Sequence, residues 1–183
     1  MDTMLFSDRS IWTMVHGILL GGGALLGLAA ALFYLGAMRH DDASGTAGTA
    51  ADHRARWLAG LTVAIAVLLW LTVIVGTYVT FPPYRATPPE GATDLVRYPR
   101  SMLLANPDTR WLHAFAMEIK EHVPWMATML ATAVAYVAAT NRTALQQDSD
   151  VRRIATTLLA ICFVLVAGAS LLGVFVNKVA PLE

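Results

Sequence analysis

The side chains in and beside the apolar stretches of this 183-residue sequence that could do chemistry are His16, His113, Glu118, Lys120, Glu121 and His122. Imidazoles bind haem iron or a metal ion and carry protons near neutrality. Carboxylates bind hard cations or fix the tautomer of a liganding histidine. Spacing sharpens the choice. Trp111, Phe115, Glu118, His122, Trp125, Met129, Thr132 and Tyr136 recur every three or four residues, which is one stripe of a helix. His113 and Lys120 fall on another face. A second stripe runs through Trp12, His16, Leu20, Gly23, Gly27, Ala30 and Tyr34. If both stripes face inward, His16 and His122 meet at similar depth.

That convergence admits several readings, and the residues leave them open. His16 and His122, with His113 as substitute, could clamp a b-type haem, with Phe115 and Trp125 as walls. The same arrangement could hold a chlorophyll magnesium. His16, His122 and Glu118 could instead hold a metal ion; an E-x-x-x-H pair has the geometry but is a short, common pattern. Glu118 and Glu121 could simply pair with Lys120, Lys178 or arginines. Gly23 and Gly27 either open a groove for a flat ring or let two helices approach closely. His113, beside Trp111, also reads as an interfacial residue. Arg85, Arg97, Arg100 and Arg110 could contact haem propionates or lipid phosphates.

The elements that must hold these groups in place follow from composition. Hydrophobic residues make up 56% of the chain, charged residues 14%, the net charge is zero and the mean hydropathy is +0.55. This excludes a disordered chain, a coiled coil and a basic nucleic-acid binder. It also argues against a soluble enzyme, because a chain this short cannot hide so much apolar surface in one core. One cysteine, Cys162, excludes a disulfide framework, and no C-x-x-C-H is present for covalent haem. No P-loop, nucleophile elbow or dinucleotide fingerprint occurs.

Four stretches without Asp, Glu, Lys or Arg each reach the roughly 20 residues a membrane helix needs. The spans are placed at about 11–38, 57–81, 112–139 and 153–177. The expected fold is all-α: a single-domain integral membrane four-helix bundle with antiparallel up-down spans and a Pro-rich 30-residue loop between the second and third. That loop carries six of the eight prolines and reads as an ordered cap. The Gly/Ala/Thr-rich loop near Arg39–Arg56 reads as flexible. Antiparallel spans gather His16, Tyr78, His113, Glu118, Lys120, Glu121, His122, Asn177 and Lys178 at one end. Arginines in the two short loops favour those loops inside, with both termini and the proline loop outside, in a multi-pass inner-membrane protein.

The function expected from this is a small membrane subunit of a respiratory or photosynthetic electron-transfer complex, binding haem b between the first and third spans. Its partners would be the lipid bilayer, other membrane subunits, and quinone or a soluble electron carrier, with no nucleic acid. A cofactor-free accessory or assembly subunit, a membrane metal-binding protein and a small transporter remain as alternatives. Whether the chain is an enzyme is left open.

Overall fold

The computed structural model describes residues 7–44 and 49–180, with side chains placed for 7–39 and 53–180. Among the described residues every regular element is helical. Four helices are long and apolar enough to cross a membrane: α1 (Asp8–Arg39), α2 (His53–Arg85), α4 (Leu112–Thr140) and α6 (Ser149–Val179). Two short helices, α3 (Pro99–Ala105) and α5 (Arg142–Gln147), lie in the connections.

The long helices have 29 to 33 residues. At 1.5 Å per residue they measure about 44–50 Å, well beyond a hydrocarbon core of about 30 Å. They also overrun the apolar stretches read from the sequence, because backbone hydrogen bonding continues where hydropathy stops. The helix of α1 runs on to Ser44 and that of α2 starts at Thr49, so helical turns occupy much of the segment read as a flexible loop. Residues 45–48 of that loop lie outside the described residues.

Packing runs between α1 and α2, α2 and α4, α4 and α6, and α1 and α6. The core joins Ala24, Leu28 and Ala31 of α1 to Leu58, Ile65 and Leu69 of α2, Ala127, Ala131 and Ala138 of α4, and Ala155, Leu159 and Cys162 of α6. Large residues such as Phe33, Trp57, Met126, Met129 and Tyr136 are exposed. Lipid tails are as apolar as leucine, so hydrophobicity does not drive the spans together; close backbone approach does, and small residues permit it.

At one end α3 starts with Pro99 in its first turn, where a missing N–H costs nothing. Its Leu103 is fully buried with Tyr84, Leu112, Ala116, Met117 and Val176. This ties part of the proline-rich segment onto the ends of α2, α4 and α6. At the other end Asp148 caps α6 by accepting from the N–H groups of Asp150 and Val151. Arg152 reaches back from α6 and donates to the carbonyls of Leu145 and Gln146, which α5 leaves open at its C-terminus.

Candidate functional site

Three of the four long helices change winding at the same end. π-helical turns occupy Val15–Gly22 in α1, Gly76–Thr80 in α2 and Leu112–Met117 in α4. Such wide turns are rare and are frequent at functional sites. They also shift the register of the side chains on either side. His16 lies in the first, Gly76 opens the second and His113 lies in the third.

His16 is part-buried and directed at α2. Its Nδ1 is 2.9 Å from the Thr72 carbonyl oxygen. A carbonyl only accepts, so Nδ1 carries the proton and Nε2 of the neutral ring keeps its lone pair. Thr72 cannot offer its hydroxyl proton elsewhere, since it donates to Leu68 O at 2.7 Å. The ring fits because residue 76 is glycine: a Cβ there would come within 2.7 Å of His16 Cε1.

Lys120, from α4, turns toward the last helix. A Cβ on Gly173 would lie 2.5 Å from its Nζ, so Gly173 makes the ammonium's place. The π turn that carries His16 also touches α6, the helix against which Lys120 lies. Each of the four long helices thus supplies one part of this site: His16, Gly76, Lys120 and Gly173. No carboxylate lies within ion-pair distance of Lys120 among the described residues.

The sequence placed His122 and Glu118 on one helical face, and they are on one face, but it points outward. Their side chains are 73% and 67% exposed. His122 Nδ1 donates to the Glu118 carbonyl oxygen at 2.8 Å and stands 3.8 Å from a carboxylate oxygen of Glu118. Trp111, Phe115, Met129 and Tyr136 of the same stripe are exposed as well. The inward face of α4 is instead the run Ala116, Lys120, Ala127, Ala131, Val134 and Ala138, with Lys120 only partly covered. The structure therefore does not bring His16 and His122 together.

His113 is held within the cap. Arg100 Nε donates to its Nε2 at 3.3 Å, and its Nδ1 pairs with the Tyr84 hydroxyl at 2.9 Å. Both ring nitrogens are thereby engaged. Tyr84→Phe should detach one side of this histidine and lower the unfolding free energy by about 1 kcal/mol; a thermal melt in detergent against the parent chain measures it. Arg85 lies over the Phe81 ring, 5.4 Å from its centroid, and Arg110 donates to Leu104 O at 3.4 Å. Arg97 also has contacts of its own.

Gly23 and Gly27 face α2. A Cβ on Gly27 would meet Ile65 Cγ1 at 2.8 Å, and one on Gly23 would meet Leu68 at 3.6 Å. Side chains of α2 fill the space in which a flat ring would lie. A haem clamped between α1 and α4 by His16 and His122 does not fit these residues, because one imidazole faces inward and the other outward. Nor do three His, Cys, Asp or Glu side chains gather as a metal site among the described residues.

Lys120 is the site residue that spacing did not single out as inward-facing. A signal was present: it continues the alanine stripe at 116, 127, 131 and 138, a spacing that small-residue packing makes meaningful. The chain matches no family model, no curated protein and no solved structure.

Proposed function

We propose that this chain is a small integral membrane subunit of an electron-transfer complex. In this reading its four helices form an antiparallel bundle, and it docks a larger membrane partner through the outward face of α4. The observation that carries the proposal is the pair Glu118 and His122, exposed on that face. Ionisable groups on membrane helices avoid lipid and turn toward protein or water-filled space. Here they point away from their own bundle. A neighbouring subunit would supply the cover, and Trp111, Phe115, Met129 and Tyr136 would supply contact area along the same stripe.

The electron-transfer element rests on chemistry available at that face. With Nδ1 donating to Glu118 O, the neutral His122 ring offers Nε2 outward as a ligand or hydrogen-bond acceptor. We place the redox cofactor in the partner and not between the spans of this chain. Short-loop arginines at the opposite end would then lie on the cytoplasmic side.

Native electrophoresis of solubilised membranes, with reduced-minus-oxidised spectra of each band, tests the proposal. The chain should migrate with a band that carries redox-active absorbance, and the chain purified alone should be colourless. The double variant Glu118→Gln, His122→Ala should release it from that band. Its own melting behaviour should hardly change, since exposed substitutions stay within about 0.5 kcal/mol. Migration of the parent chain alone, or haem bands in the isolated chain, would overturn the reading.

A further inference from the structure

We infer that Lys120 and His16 form the head-group site for an anionic amphiphile, a molecule with a carboxylate or phosphate on an apolar tail, bound within the polar end of the bundle. This site is independent of the docking role of Glu118 and His122, which lie on the other side of α4. Charge is unbalanced here. Lys120 Nζ is seated against Gly173 of α6, and no carboxylate of the described chain pairs with it. Neither carboxylate near it on its own helix pairs with it: the Glu118 side chain stands on the outward face beside His122, and Glu121 acts on Tyr84 and His113 in the cap.

An ammonium at this depth is costly without a counter-charge. A fixed oxyanion relieves it and gains a charge-assisted hydrogen bond. His16 adds a second group that adapts to the ligand. Its Nδ1 proton is committed to Thr72 O, so Nε2 of the neutral ring is left as an acceptor for a hydroxyl of the head group whose anionic oxygen pairs with Lys120. Gly76 and Gly173 keep the backbone close to both side chains, and their lack of Cβ atoms is what gives the two basic groups room. Lys120 and Gly173 belong to adjacent helices, α4 and α6, and both are only partly covered, so the site is reachable from outside the bundle. A tail on the ligand fits the apolar surface that α6 exposes nearby at Val174 and Phe175.

The test uses the full chain in phosphatidylcholine nanodiscs, with three probes added separately: phosphatidylglycerol, oleate and inorganic phosphate. Native mass spectrometry reads the retained ligand and thermal unfolding reads stabilisation. The parent chain should retain phosphatidylglycerol or oleate and melt higher with it, and whichever is retained names the source of the head group. Lys120→Gln should weaken that retention about tenfold or more, the scale of one lost charge-assisted bond. Lys178→Gln, which removes an exposed cation at the same end, should leave retention unchanged. Lys120→Met should raise the melting temperature in pure phosphatidylcholine, because it removes an unpaired charge. That last result keeps the test informative if a variant handles lipid poorly. Retention equal in the parent and Lys120→Gln, binding of inorganic phosphate alone, or no retention of any probe would overturn the inference.

Discussion

Replacing Arg152 with methionine should lower the unfolding free energy by about 3 kcal/mol, the largest effect expected of any single side chain here. Arg152 is 4% exposed and donates to two carbonyls, those of Leu145 and Gln146. Both belong to the last turn of α5, whose carbonyls have no helical donor of their own. Methionine fills similar volume but donates nothing, so one buried and one part-buried carbonyl lose this donor. Hydrogen bonds to a charged group contribute about 1.5–3 kcal/mol each, and two on one guanidinium do not add fully. Lysine should recover only part of the loss, since a single ammonium does not reproduce the planar fork. Chemical denaturation in mixed micelles measures the difference. A midpoint equal to that of the parent would show that water satisfies α5 equally well. Arg153, one residue on, is the control: it pairs with Asp150 at 3.2 Å on a solvated surface. Arg153→Met should change stability by under about 1 kcal/mol.

Gly27→Leu should cost about 2–3 kcal/mol by forcing α1 away from α2. The obstacle is Ile65 Cγ1, which a Cβ at position 27 would approach to 2.8 Å. Ile65 is 1% exposed and β-branched, so it has no free rotamer to move into. Gly36→Leu, on the same helix but with nothing within 4 Å of the added carbon, should be near neutral. Steric-trap or denaturant unfolding in bicelles separates the two. The pair also tests the glycine face itself. If that face were an open groove, leucine at position 27 would enter vacant space and the two variants would unfold alike.

How much of this was legible in the residues depends on which physical rule reads them. Hydropathy found the four long helices, because any segment in hydrocarbon must satisfy its backbone internally and so must be a long apolar helix. Periodicity correctly put Glu118, His122, Met129 and Tyr136 on one face of α4. Periodicity alone does not say which way a face points. In water an aromatic and methionine stripe marks the inside; in lipid it is equally content outside, and here it is exposed. The inward face is the plainer alanine stripe, and the lysine on it was the informative residue. Spacing counted on a regular helix also ignores the π turns near His16 and His113, which rotate the side chains before each turn relative to those after it.

Residue order alone specifies a chain of four long apolar helices, because segment length and charge distribution obey the solvent and need no knowledge of neighbours. Which of those side chains meet is a matter of tertiary packing. His16 faces Thr72 and Gly76 of α2 while His122 points outward, since the rotation of each helix is set by where small residues let backbones approach, as Gly27 does at Ile65 and Gly76 does at His16. That is a property of pairs of helices, and no single helix encodes it.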